Sequence, residues 1–235
     1  MVVFNGAHMS AISDKLHVAD VIVYPPDIKE TTVSPALKDG DIFSGKTFGT
    51  RQVDVIFAVM ENDTAKRSRI IQAVNQWSYS RVEKELRVPQ EPNGYLMAVC
   101  TSLPQDSAEG FDELMLVSFT CHDPYYYDFS EKTAFPPGAS LDAVDRDEAP
   151  PWQMVVDTHG APDPLMIVKN DKHLIFSGLP GGKLLIDSKS QSITLDGKSA
   201  MQYLQLGSRF FDLGRGSISV ETNWPCGLSW RERWL

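Results

Sequence analysis

Apolar and polar residues alternate with a period of two through most of the 235-residue chain, the pattern of strands that bury one face. Residues 16–23 and 28–34 predict two strands, parted by Tyr24-Pro25-Pro26. Residues 51–60 predict a third. Val53, Val55, Phe57 and Val59 share one of its faces. On the other, charge gives way to apolar residues, which implies that both faces are covered at its far end. Before it, residues 38–50 hold three glycines and read as a long loop or mobile hairpin. The period then changes. Asn62 or Asp63 can cap a helix whose apolar stripe is Ile70, Ile71, Val74 and Trp77, with Lys66, Arg67, Arg69 and Gln72 toward solvent. The stripe reads as core packing. The strand pattern resumes over 85–88, turns at Asn93-Gly94 and returns over 95–101. After a polar loop, 104–112, residues 113–123 alternate again, with Met115, Val117, Phe119 and Cys121 on one face.

Pro124-Tyr125-Tyr126-Tyr127 stops that strand. The chain divides there into a mixed β domain with one helix, 1–132, and an all-β domain, 133–235. Residues 134–151 read as linker or extended edge; they hold Pro136, Pro137, Pro150 and Pro151 and the acidic run Asp145-Arg146-Asp147-Glu148. Short strands follow over 152–157, 165–170, 173–177, 183–187, 192–196, 217–222 and 228–235. Turn signals such as Asn170-Asp171 and Asp196-Gly197 separate them. This rhythm, with no helix for parallel crossovers, predicts an antiparallel β-sandwich. The fold class is mainly β with one helix, in two domains.

Composition adds limits. Hydrophobic residues make 42% and charged residues 23% of the chain, ordinary values for a globular protein. No apolar run reaches the ~18 residues of a membrane span, and the first residues carry no basic segment of a signal peptide. Cys100, Cys121 and Cys226 show no CxxC spacing and read as reduced thiols of a protein made in a reducing cytosol. The net charge of −9 argues against a protein that grips phosphate. Residues 1–132 carry 19 acidic and 12 basic side chains, against 12 and 10 in residues 133–235. Solubility accounts for this; the sharper reading is a surface that repels DNA.

Catalytic candidates are weak. Cys121-His122-Asp123 has nucleophile, base and orienter in a row, but successive strand side chains point to opposite faces. The five histidines show no zinc spacing. Residues 178–183 lack the order of a phosphate loop and read as a turn, and Asn62-Asp63-Thr64 matches a glycosylation site without a secretory context. Asp187 and Asp196 could serve a glycosidase, though nothing marks them above hairpin carboxylates. Trp152, Tyr203, Phe210, Phe211, Trp224 and Trp230 could line a sugar-stacking groove or an interface, with core packing the plainer alternative. No cofactor or metal site is expected.

Taken in order, these features resemble the distal tail protein (Dit) family of long, non-contractile-tailed phages, the siphophage tail component. Phe4-Asn5-Gly6 is similar to the family's opening strand and turn. Gly40–Gly49 before Arg51-Gln-Val-Asp-Val-Ile-Phe57 resembles its Gly-rich segment and "R-x-I-x-V-x-F" strand. Gly94-Tyr95-Leu-Met-Ala98 resembles its "yyyA" strand. Phe119-Thr-Cys121-His-Asp123-Pro124-Tyr125-Tyr126 is close to "F-x-C-x-D-P-[FY]-x-Y", and Trp230-Arg231-Glu232-Arg233-Trp234-Leu235 to the family's terminus. Residues 134–170 match least. The resemblance implies a structural virion protein at the tail tip, made in the host cytoplasm. Its N-terminal domain would build a ring, usually a hexamer, as a sandwich or barrel with one helix. Its C-terminal domain would be a galectin-like or carbohydrate-module-like sandwich outside. Implied partners are the tail tube protein, the tail-associated protein and receptor-binding or baseplate proteins. DNA would pass through the lumen without specific binding, and no membrane is involved.

Several residues are singled out on this basis. Gly40, Asp41, Ile42, Phe43, Gly45, Phe48 and Gly49 are expected at the ring interface. Cys121, Asp123, Pro124, Tyr125, Tyr126 and Tyr127 form the domain hinge. Trp230, Arg231, Arg233 and Trp234 carry the C-terminal signature, with the two arginines expected to pair with acidic groups near the hinge. A stand-alone carbohydrate-binding sandwich and a glycan-active enzyme are the alternatives.

Overall fold

A computed structural model of the chain describes residues 1–34, 36, 39–104, 114–136, 140–141, 149–214 and 218–235. Beyond residue 104 the expected polar loop 104–112 lies outside the described residues, as do Pro137, most of the acidic segment 142–151, and Lys38, Glu113 and Ser217. The chain forms two compact units, Met1–Tyr126 and Tyr127–Leu235. No described helix is long and apolar enough to cross a membrane.

The first unit begins with β1 (Val3–Phe4) and β2 (Ala7–His8). Asn5 and Gly6 both take positive φ between them, the backbone of a tight two-residue hairpin turn. Next come β3 (Leu16–Val23), β4 (Ile28–Val33), β5 (Ile42–Phe48) and β6 (Arg51–Val59). Helix α1 (Thr64–Ser78) is followed by β7 (Lys84–Arg87), β8 (Gly94–Ser102) and β9 (Met115–Cys121). One antiparallel sheet runs β2-β1-β7-β8-β9-β6-β3. Alternation along β6 and β9 does what the sequence implied: Val53, Val55, Phe57, Val117, Phe119 and Cys121 are wholly buried.

The helix begins where Asp63 Oδ1 accepts from the Ala65 and Lys66 amides at 2.9 and 3.2 Å. Its buried stripe is Arg67, Ile71, Val74 and Ser78. Arg67, expected in solvent, is only 3% exposed. The stripe is turned from Ile70–Trp77 toward Arg67–Ile71, and an arginine can lay its methylenes along an apolar face. Trp77 stays half-buried and holds the helix down. Its ring lies 5.9 Å from Phe4 and 6.1 Å from Phe119, and its Nε1 donates to the Ala7 carbonyl at 2.9 Å.

The residues expected as a loop over 38–50 are largely a strand. β5 pairs with β4 from Ile28↔Phe48 to Val33↔Ile42, with an irregularity between Thr31 and Thr32. The strand expected over 28–34 is present; over 38–50, the reading as a long loop or mobile hairpin gives the glycines more weight than the β-branched Ile42 and Thr47, which favour extension.

In the second unit, β10 (Tyr126–Asp128) crosses the division, followed by β11 (Lys132–Ala134) and β12 (Ser140–Leu141). So the expected linker carries strands, and β11 spans the position at which the sequence places the domain boundary. Then come β13 (Trp152–Asp157), β14 (Leu165–Lys169), β15 (Lys172–Phe176), β16 (Lys183–Asp187), β17 (Ser192–Leu195) and β18 (Lys198–Ser199). The last four are β19 (Ile218–Ser219), β20 (Glu221–Thr222), β21 (Gly227–Trp230) and β22 (Arg233–Trp234). A six-stranded sheet, β11-β21-β13-β16-β17-β18, and a three-stranded one, β15-β14-β20, share one core. Trp152 and Phe211 stack in it at 4.7 Å, and Trp230 is buried there too; Tyr203, Phe210 and Trp224 pack against its margin. Core packing, not a groove, is where these six aromatics go.

β21 lies between β11 and β13, so strands from near the start and end of the unit meet in mid-sheet. Deleting residues 227–235 should abolish the cooperative unfolding of this unit in calorimetry and leave a transition for the first. Asp63→Ala should cost about 1 kcal/mol of stability in urea unfolding, the usual worth of a helix cap.

Candidate assembly site

The β4–β5 arm is unlike the rest of the first unit. All six residues of β4 are exposed, and so are five of the seven in β5. Ile28, Val33, Ile42 and Phe43 are 55–60% exposed. Register places Val33 opposite Ile42 and Thr32 opposite Phe43, so the apolar groups meet near the tip. Ser34 Oγ donates to Asp41 Oδ1 at 2.5 Å beyond them, and Gly40 takes φ +84 before β5 begins.

The base of the arm is pinned. The Gly49 amide donates to the Asp27 carbonyl at 2.7 Å, Asp27 donates to Thr50 at 3.0 Å, and Thr50 Oγ1 donates to Asp27 Oδ2 at 3.1 Å. A Cβ on Gly49 would stand 3.1 Å from Asp27 Cβ, so a side chain there would crowd the joint. The Phe48 ring meets Tyr125 edge-on at 6.4 Å. Of the expected interface residues, Ile42 and Phe43 are therefore displayed, Gly45 sits opposite Thr31, and Phe48 and Gly49 are anchors. The sequence reading missed Ile28 and Val33 because it did not pair the strand over 28–34 with residues 42–48.

The sheet has a covered face and an uncovered one. Helix α1 covers the face of Val53 and Phe119. Gln52, Asp54 and Ile56 on β6, and Leu116, Ser118 and Thr120 on β9, point the other way and keep contact with solvent. Tyr24 donates its hydroxyl to Asp54 at 3.1 Å, and the carboxylate raises the Tyr24 pKa. Thr101 Oγ1 donates to the Ser118 carbonyl at 3.3 Å and lies 3.1 Å from Thr120 Oγ1. No lysine stands in β3, β6, β8 or β9. Their one arginine, Arg51, is buried over the Tyr126 ring at 5.0 Å.

The hinge residues divide between the units. Cys121 is wholly buried and burial pushes its thiol up to about 12. His122 is exposed, with Nδ1 2.9 Å from Glu83 Oε1. Cys121 and His122 thus do not converge. Tyr125 and Tyr126 pack in the first unit, whereas Tyr127 is buried in the second, where Lys189 Nζ lies over its ring at 5.3 Å.

At the C-terminus Trp230 belongs to the core. Arg231 Nη1 donates to the Phe129 and Asp128 carbonyls, at 2.5 and 3.4 Å; its partners here are main-chain oxygens, where the sequence reading expected carboxylates. Arg233 and Trp234 are half-buried. Lys132 makes an ion pair with buried Glu232 in this region, partners 100 positions apart that no local pattern reveals. Asp187 and Asp196 are turn carboxylates: Asp187 Oδ1 accepts from the Lys189 amide at 2.8 Å and Asp196 Oδ1 from the Lys183 amide at 2.9 Å.

Residues 16–121 match the family model of the phage tail protein RIFT-related domain, and residues 148–234 that of the siphovirus-type tail component, C-terminal domain. The chain belongs to the phage distal tail protein family. It is a structural component of a phage tail. A crystal structure of Dit (gp 19.1) of phage SPP1 has the same fold over 100% of this chain and 98% of that one, with a TM-score of 0.77 at 17% identity. That protein is described as a paradigm of the hub adsorption apparatus in phages that infect Gram-positive hosts. A chain of the phage P2 baseplate, activated with Ca, aligns over 90% of each chain at 8% identity and a TM-score of 0.49. No curated protein sequence matches the chain.

In the folded chain Cys121 should resist a disulfide reagent at pH 8 and react once guanidinium unfolds the protein. The thiol's folded pKa is raised from 9.0 to about 12. Its contribution to stability is therefore present below pH 9 and is lost as pH rises toward 12.

Proposed function

We propose that the chain closes into a ring of identical subunits, six in number, at the tail tip, with the β4–β5 arm of each subunit seated on the next. The observation that carries this is the arm itself. A two-stranded ribbon is at best marginal alone in water, and this one displays Ile28, Val33, Ile42 and Phe43 from a pinned base. An arm on one part of a subunit seated on a different part of its neighbour is a heterologous contact, and such contacts form a ring when the rotation between subunits closes. Residues 1–132 would build the ring and 133–235 would stand at its periphery.

The uncovered sheet face would line the lumen. It presents hydroxyls, Asp54, Ile56 and Leu116, and β3, β6, β8 and β9 offer no exposed lysine or arginine to hold phosphate, so DNA would slide past by like-charge repulsion. The ring would join the tail tube to the tail-associated protein and anchor receptor-binding components. The role is structural rather than catalytic: the buried Cys121 thiol and outward His122 favour that reading. The burial of Trp152, Phe211 and Trp230 disfavours a stand-alone sugar binder built on them.

Deleting residues 40–49 should leave monomers in light scattering; intact rings would overturn the arm's role. Asp54→Lys with Ser118→Lys should leave rings intact and slow genome delivery by the assembled phage. Unchanged delivery would count against the lumen assignment.

A further inference from the structure

The face of the first unit's sheet that points away from α1 changes character along its strands. Gln52, Asp54, Ser118 and Thr120 make one half polar. The other half is apolar. Ile56 is the register partner of Leu116. Leu114 stands two residues before Leu116 and Met60 four after Ile56, so strand alternation puts all four on this side. Met60 follows β6, but its amide still donates to the Lys15 carbonyl at 2.8 Å, which carries the strand pattern through it. Leu114, Met60 and Leu116 are 63, 56 and 42% exposed. Single apolar residues on a surface need no explanation, whereas a contiguous set marks a place of contact.

This patch and the β4–β5 arm lie at opposite ends of one strand. The arm leaves the sheet beside Arg51, where β6 begins, and the patch gathers where β6 ends. From Arg51 to Val59 is about 26 Å at 3.3 Å per residue. The arm does not fold back along the face, since Ile28, Val33, Ile42 and Phe43 all remain exposed. Two different apolar surfaces on one subunit suit a head-to-tail contact between copies, in which each surface covers the other. An arm-to-arm contact would bury the arms and leave the patch in water. Charge favours the head-to-tail pairing. The strands of the arm carry Lys29 and Lys46 against Glu30. Around the patch stand Asp14, Asp20, Asp54 and Glu61 against Lys15, with Asp20 the register partner of Ile56. The two surfaces are thus opposite in net charge, which steers one onto the other.

We propose that Ile42 and Phe43, near the tip of one subunit's arm, seat on Ile56, Met60, Leu114 and Leu116 of the next subunit. The placement rests on ring closure through the arm and assigns the surface that receives it. The polar half of the same face, with Asp54, Ser118 and Thr120, is left free for the lumen.

Light scattering and thiol crosslinking of the full chain test the receiving surface. Leu114→Glu combined with Leu116→Glu should shift the scattering mass from ring to monomer. Met60→Glu, which lies outside β6, should lower it as well. All three side chains are exposed, so unchanged Tm values should show that the variants fold. Phe43→Cys, joined in one chain with Met60→Cys, Leu114→Cys or Leu116→Cys, should give a ladder of covalent oligomers in at least one pairing when oxidised with diamide. Phe43→Cys alone should give none. Folded glutamate variants that keep their rings, or wild-type rings with no ladder in any pairing, overturn the receiving surface and leave ring closure standing. Dimers from Phe43→Cys alone overturn it in favour of an arm-to-arm contact. A wild-type chain that stays monomeric at the highest concentration it tolerates overturns ring closure and the receiving surface with it.

Discussion

The contact of Phe119 with Phe4, at 5.0 Å, and with Trp77 is the one on which the rest of the first unit depends. It joins β1, α1 and β9 across the covered side of the sheet. Once the helix is held there, strand alternation commits Asp54, Ser118 and Thr120 to the other side, where they keep contact with solvent. A single helix can cover only one face of a sheet this wide, which leaves much of the other to solvent or to a partner. Where the aromatic cluster sits thus decides which residues face the other way: Asp54, Ser118 and Thr120, with Ile56 and Leu116 among them.

The arm follows a different logic. Its strands satisfy each other's backbone groups, and its base is fixed by the hydrogen bonds of Asp27, Gly49 and Thr50. Its apolar side chains, however, find too little to pack against. Burying Ile28, Val33, Ile42 and Phe43 would each contribute roughly 1–2 kcal/mol. This is enough to make a second surface part of the arm's own stability. An element pinned at its base and unburied along its length would gain stability from a second surface.

In the second unit the limiting constraint is closure. β21 fills the gap between β11 and β13, and buried Glu232 takes its charge partner from Lys132 at the unit's start. A carboxylate so buried would be costly without that cation. The unit is therefore complete only when its last strands are in place.

The sequence alone determined which residues face inward and where the chain turns. Valine and phenylalanine alternation in β6 and β9, the Asp63 cap, and the turns Asn5-Gly6 and Asp196-Gly197 are local rules, written in neighbouring residues. The order of the short motifs was enough to point to the distal tail family. The tertiary structure decided the rest. It paired residues 42–48 with 28–33, which turned an expected loop into an arm. It rotated Arg67 into the core, and joined Lys132 to Glu232. It sent Trp152, Phe211 and Trp230 inside. Each of these depends on which strand lies beside which, and such pairing is set by contacts between residues far apart in the chain that no local period encodes.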